Sequence, residues 1–261
     1  MTRVPVLREL DDGVLLLTLN RAEKKNAFDD AQWDGLRDAL RAAAADPAVA
    51  CAVVTGAGGD FSAGQDLGSF GRAAAPRADG RANGYPGCME ALIAFDKPLL
   101  AAVRGVGVGI GATFLFHCDI VYVGASARLR LPFVSLGLVP EGASSFMLAA
   151  VIGARRAAEL FYTAEWIDAA RAVETGIATR AFSDSEVLPA ALAKAREIAR
   201  HPVRALQETK RTLLLARAPG IEAALRAEEL GMRQMAGSPE NAEAIRAFLE
   251  KRAPDFAQFR Q

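Results

Sequence analysis

The chain of 261 residues has few of the residues on which several function classes depend. It has three cysteines, Cys51, Cys88 and Cys118, an odd number without metal-like spacing, which points away from a disulfide framework and fits a reducing compartment. With two histidines, His117 and His201, a multi-histidine metal site is not expected. Neither sign of charge is in excess: 31 basic and 31 acidic residues give a formal net charge of +0, unlike the basic footprint of a nucleic-acid binder. Although 51% of the residues are hydrophobic, no apolar run approaches the ~18 residues that cross a bilayer. Charged residues stand in the first nine positions, where a signal peptide carries its apolar stretch. The expectation is a cytoplasmic globular protein that binds neither nucleic acid nor membrane, with a core large enough to stand without cross-links.

Apolar segments alternate with helical ones. Residues 4–10 and 14–20 predict two strands joined across Asp11-Asp12-Gly13, a hairpin signal. Asp29 or Asp30 predicts the cap of a helix reaching about Ala45, with Trp33, Leu36 and Leu40 on one face. Residues 50–55, 99–103 and 119–123 read as buried strands, and strands alternating with helices imply an α/β core. Residues 69–87 read as a long surface loop. An apolar helix is expected to end at His117, another over 154–162 to stop before Thr163, and one at Glu174-Thr-Gly176 to end on its glycine. From Ser144 onward the pattern is nearly all helical, which divides the chain into an α/β core over 1–200 and a helical region over 201–261.

Two glycine-dense loops, at 56–67 and 104–111, each follow a buried strand and lead towards a helix. Residues 107–112 fit G-x-G-x-x-A, which suggests a dinucleotide site. That fingerprint also requires an acidic residue ~20 positions on, and none occurs from Ile120 through Pro140. Alternatively, the glycines only permit tight turns, or both loops offer backbone N–H groups to a developing oxyanion.

In order, the loops resemble the crotonase (enoyl-CoA hydratase/isomerase) superfamily. The resemblance rests on 20–28 (NRAEKKNAF), 54–67 (VTGAGGDFSAGQDL), 102–111 (AVRGVGVGIG), 118–122 (CDIVY) and 248–256 (FLEKRAPDF), and spans about residues 4–256. It implies a spiral of repeated β-β-α units, a helical C-terminal trimerisation region giving trimers or dimers of trimers, and a coenzyme A thioester substrate, as in fatty acid metabolism. The oxyanion donors it implies are the backbone N–H groups of Gln65 and Ile110. Ile110 stands where many relatives carry glycine, which raises the question of its backbone angle. The matching substrate and coenzyme A positions are Lys24, Ser62, Ala63, Gly64, Asp66, Leu67, Phe248 and Lys251. Outside the resemblance, Lys24 and Lys251 read as solvated charges, Asp66 as the cap of a helix opening at Leu67, Asp119 as structural, Cys118 as a small buried residue, and His117 as a satisfied core or helix-end histidine.

Hydratases of the family use two glutamates, and the matching positions are Thr113 and Phe133, neither able to accept a proton. Residues 140–145 (PEGASS) instead resemble the Δ3,Δ2-enoyl-CoA isomerase branch, in which this glutamate, here Glu141, is the base. From the residues alone, Glu141 either caps a helix starting near Ser144–Ser145 or faces a thioester pocket; the resemblance favours the pocket. The implied reaction is a 1,3-proton shift on a 3-enoyl thioester, with no metal and no cofactor beyond the coenzyme A of the substrate. The segment 62–67 also resembles a ring-1,2-epoxyphenylacetyl-CoA isomerase. The same residues also admit a hydratase-like enzyme or a non-catalytic acyl-CoA binding protein.

Overall fold

A computed structural model describes residues 3–66, 68 and 84–260. Leu67 and most of the expected 69–87 loop lie outside the described residues. Strands β1 (Val6–Asp11) and β2 (Val14–Leu19) form the expected hairpin. Its turn residues Asp12 and Gly13 both take positive φ (46° and 78°), as a two-residue turn with right-handed twist requires. Helix α1 (Asp30–Ala45) starts where Asp29 caps the Gln32 N–H, and β3 (Cys51–Gly56) follows. Helix α2 spans Gly84–Ile93, so residues 84–87 begin a helix rather than end a loop. Then come β4 (Leu99–Val103), β5 (Val106–Val108) and α3 (Ile110–Thr113), which tightens into a 3-10 turn over Phe114–His117. Strands β6 (Ile120–Gly124) and β7 (Arg128–Arg130) lead to α4 (Ser144–Ile152) and α5 (Ala154–Thr163). The remainder is β8 (Trp166–Asp168), α6 (Ala169–Thr175), β9 (Arg180–Phe182), α7 (Val187–Ala199), α8 (Val203–Met235) and α9 (Pro239–Leu249).

The strands form two sheets. One has the order β1-β2-β3-β4-β6-β9, parallel except for the β1–β2 pair; the other has the order β5-β7-β8. The chain passes from β4 in the first sheet to β5 in the second, and from β6 to β7 in the same way. These repeated steps between sheets build the α/β spiral of the crotonase fold.

Period-two alternation divides the central strands between two cores. Leu17, Ala52, Val54, Leu99, Ala101 and Val103 face the main core with Leu36 and Leu40 of α1. Val14, Cys51, Val53, Leu100 and Ala102 face the other way, against Val187, Ala191 and Ala195 of α7. Both faces are covered, so these strands read as unbroken apolar runs.

Three short strands depart from the sequence expectations. Strand β5 lies in a segment read as a glycine loop, and β8 and β9 lie in a region read as helical. Each spans three residues, too few for an alternation to show, and each exists through its register with distant partners, such as Leu129 with Ile167 and Tyr122 with Arg180. Helix α5 ends on Thr163, one residue later than expected, and α6 stops at Gly176 with φ 91°. Among the described residues, no helix is long and apolar enough to cross a membrane.

Buried lysines tie the layers together. Lys97, 1% exposed, donates from Nζ to the carbonyls of Ala43 (2.8 Å) and Asp46 (2.6 Å) at the C-terminal end of α1, where the helix dipole favours a cation. Lys210 of α8 donates to Lys97 O and to Asp119 Oδ2, which also accepts the Leu99 N–H at 2.7 Å. Lys97→Met leaves two carbonyls without their donor and is expected to cost about 1–3 kcal/mol, read as a lower urea midpoint at unchanged slope.

Candidate active site

The loop after β3 lies between two other backbones. On one side Phe28 donates to Gly64 O (2.7 Å) and accepts from Asp66 N (2.9 Å), so the N–H of Gln65 between them points away from Phe28. On the other side Ser62 donates to Val106 O and accepts from Val108 N, which bridges it to Gly107. Glycine is required at the contact: a Cβ on Gly64, whose φ is 86°, would stand 2.4 Å from Val108 O, and one on Gly111 would stand 2.3 Å from Ser62 O. Residues 64–65 are thereby pressed against residues 108–110.

Fully buried Asn26 holds this stack from beneath. Its side chain accepts the Arg21 N–H and donates to Ala57 O and Asp60 O. The Ser62 hydroxyl donates to Asn26 O (2.9 Å) and accepts the Gly64 N–H (3.1 Å). Trp33 Nε1 donates to Gln65 Oε1 at 2.9 Å, while its ring stacks on Phe28 and meets Tyr85 edge-on.

The backbone angle at residue 110 is resolved by its neighbour. Gly109 takes the positive φ of 54°, and Ile110 is the first residue of α3, without positive φ. Its N–H therefore stands at a helix start, near enough to the Glu141 carboxylate to favour its charged form.

Glu141 does not cap α4. The residue before α4, Ala143, takes a left-handed φ of 58°, and the orphan amides are held by a residue far along the chain. Glu228 of α8, 6% exposed, accepts Ala143 N at Oε2 (2.7 Å) and Ser145 N at Oε1 (2.8 Å). Glu141 is left to turn towards Ile110. Burial, reinforced by the charge of Glu228, pushes its carboxyl up to about 7, and the Ile110 N–H only partly offsets this. His117, held down to about 4 by burial, stays neutral and donates from Nε2 to Gly142 O (2.7 Å), bracing the same turn.

Trp33, Tyr85, Ile110, Glu141 and Glu228 line one cavity of about 1520 Å³. Ala63, Gly64, Gln65, Ile110, Glu141 and Phe248 of the expected site residues are on its wall, and Lys25 is there rather than Lys24. Lys24 and Lys251 are exposed and off the wall; Ser62 and Asp66 are off it too, and hold the loop. Asp66 pairs with Arg21 (2.7 Å) and accepts the Gly68 N–H, while its expected helix opens at Leu67, outside the described residues. Thr113 is fully buried, and Phe133 forms an apolar part of the wall. Asp119 and Cys118 are outside the cavity. Among the described residues no group of three or more His, Cys, Asp and Glu could hold a metal ion.

Over residues 9–260 the sequence matches the profile of the enoyl-CoA hydratase/isomerase family. The chain belongs to this family. It is similar to the 2,3-dehydroadipyl-CoA hydratase of Escherichia coli K12, 36% identical over 245 residues, 93% of this chain and 94% of the relative. It is similar also to the 1,2-epoxyphenylacetyl-CoA isomerase of the same organism, 32% identical over 257 residues, 96% of this chain and 97% of the relative. Among solved structures, an enoyl-CoA hydratase/isomerase from Pseudoalteromonas atlantica superposes with a TM-score of 0.91 at 32% identity, covering 97% of this chain and 99% of the other. An acyl-CoA substrate fits this membership.

Reading the sequence missed three residues of the site. Tyr85 fell in a stretch read as loop. Trp33 was identified only as a core residue of α1, and Glu228 is one charge on a long polar helix. Trp33 alone left a usable signal, an aromatic on the helix after the NRAEKKNAF loop. Gly64→Ala places a Cβ against Val108 O at a positive φ. It is expected to lower the melting temperature and, if the Gln65 amide is an oxyanion donor as the resemblance implies, to cut kcat/KM by at least about 100-fold, read by calorimetry and by steady-state assay with an acyl-CoA substrate.

Proposed function

We propose that the protein isomerises enoyl thioesters of coenzyme A, moving a 3-enoyl double bond to the 2-trans position. The observation that carries this reading is the carboxylate of Glu141 beside the amide of Ile110 on the cavity wall, the other carboxylate of that turn, Glu228, being engaged with the start of α4. In the proposed cycle the thioester oxygen displaces that carboxylate and lies between the N–H groups of Gln65 and Ile110. Glu141 takes a proton from C2, and the electron pair of that C–H bond delocalises as a dienolate with its charge on the oxygen. The same carboxyl returns the proton to C4 as the C2–C3 double bond forms. One acid–base group is enough for this shift, and the reaction as written needs no cofactor beyond the substrate's own coenzyme A.

Ala63 and Gly64 of the wall are proposed to meet the pantetheine, and Phe248, Lys24 and Lys251 the nucleotide end. Exposed Leu213, Leu215 and Leu230 of α8 support assembly into trimers or dimers of trimers through the C-terminal helices. Hydration is less well supported: buried Thr113 and apolar Phe133 occupy the two matching glutamate positions, and Glu228 is engaged with the start of α4. Isomerisation of 1,2-epoxyphenylacetyl-CoA is the second reading, supported by the relative of that name and by Trp33, Tyr85 and Phe133 on the cavity wall.

The test is turnover of 3-hexenoyl-CoA, followed by appearance of the conjugated thioester, beside 1,2-epoxyphenylacetyl-CoA. Glu141→Gln is expected to lower kcat by about 10²–10⁴-fold on the productive substrate. Unchanged turnover would remove Glu141 as the base, and no turnover of either thioester by the unaltered protein would favour a binding role. The active form of the base is the carboxylate, so kcat/KM is expected to rise with pH through about 7, read as the acidic limb of the pH–rate profile.

A further inference from the structure

The base of this site is set by a second carboxylate that has no part in the chemistry. We infer that Glu228 is a positioning residue: it holds the first amides of α4 so that Glu141 stays turned to Ile110, and its negative charge acts on the base across the buried turn. The inference rests on the reading of Glu141 as the base.

Helix α4 begins with an unusual entry. Ala143 is in the left-handed region, and neither its side chain nor that of Glu141 caps the helix. The opening amides still require acceptors, since that of Ala143 is buried and that of Ser145 stands in the first turn without an intrahelical partner. Glu228 meets this need from α8, 83 and 85 positions along the chain, with one oxygen on each of two amides. The Ser145 side chain also supports its charge. If Glu228 did not do this, the nearest carboxylate for the task would be Glu141, two residues before Ala143, and a glutamate bound to those amides could not also face Ile110. The division of labour between the two glutamates therefore keeps the base in the cavity.

The second effect is electrostatic. Among the described residues, the titratable groups that face this turn are Glu228 from α8, Tyr85 from α2 and His117 from the turn after α3. His117 is neutral, and the Tyr85 hydroxyl is held well above its ordinary range by burial and by the two carboxylates. Burial raises Glu228 as well and its two amide donors act against that; as a carboxylate it is a like charge across the turn and makes Glu141 a stronger proton acceptor.

Two variants separate charge from reach. Glu228→Gln keeps the shape and removes the charge; Glu228→Asp keeps the charge and shortens the reach. With Glu228→Gln the acidic limb of kcat/KM is expected to move to lower pH by about one unit, with kcat several-fold lower. With Glu228→Asp the limb is expected to stay in place while kcat falls. The same shift should appear without turnover, as a lower titration midpoint of the Glu141 carboxyl by carbon-13 NMR, its resonance assigned by its loss in Glu141→Gln. An unmoved midpoint in folded Glu228→Gln overturns the inference. Full activity of Glu141→Gln overturns the base assignment instead and leaves the midpoint to judge Glu228. If Glu228→Gln does not fold, Glu228→Asp decides: loss of kcat at an unmoved limb supports the inference, and unchanged kcat overturns it.

Discussion

The close approach of Gly64 to Val108 is the constraint on which the site depends. Two loops from different sheets must meet backbone to backbone, and any side chain at residue 64 or 111 would keep them apart. The approach is stabilised by hydrogen bonds that run through Phe28, Asn26, Ser62 and Gly107, so three segments distant in sequence form one rigid stack. Rigidity here serves chemistry, because amides aimed at a developing charge stabilise it without reorganising at the moment of reaction.

Electrostatics then separates two neighbouring glutamates. Both are buried, and burial alone would push both towards the neutral form. Glu228 accepts from the Ala143 and Ser145 amides, which act against the upward push of burial without cancelling it. Glu141 has the Ile110 amide and a like charge nearby, and so it sits at about 7. Burial within one fold thus leaves one carboxylate bound to backbone amides and another raised to about 7. The difference is the number of donors each can reach.

Membership of the family fixes the scaffold, and an acyl-CoA ligand is consistent with it. The relatives carry the names of both a hydratase and an isomerase at similar identity. Overall similarity therefore reports mainly on the core and the loops. In the proposed reading the residues that divide the reactions are Thr113, Phe133 and Glu141, placed by α3, by the segment after β7 and by the turn before α4.

Much of this was legible in the sequence. Unbroken apolar runs specify β2, β3 and β4 because both faces of these strands are buried, and Asp29 marks the start of α1 because only a side-chain acceptor can satisfy its first amides. Glycines at 64 and 109 are required locally by positive φ, and a local requirement leaves a local trace, whereas Gly111 is required by its contact with distant Ser62. The choice for Glu141 between capping α4 and facing the cavity left none. It was decided by Glu228, whose partners lie more than 80 positions away. Strands β5, β8 and β9 likewise exist only through their pairings, and Tyr85 joins the site because α2 packs beside α1. Sequence determines what a segment can do with its own atoms; the tertiary structure alone decided which distant donors and charges each buried group would meet.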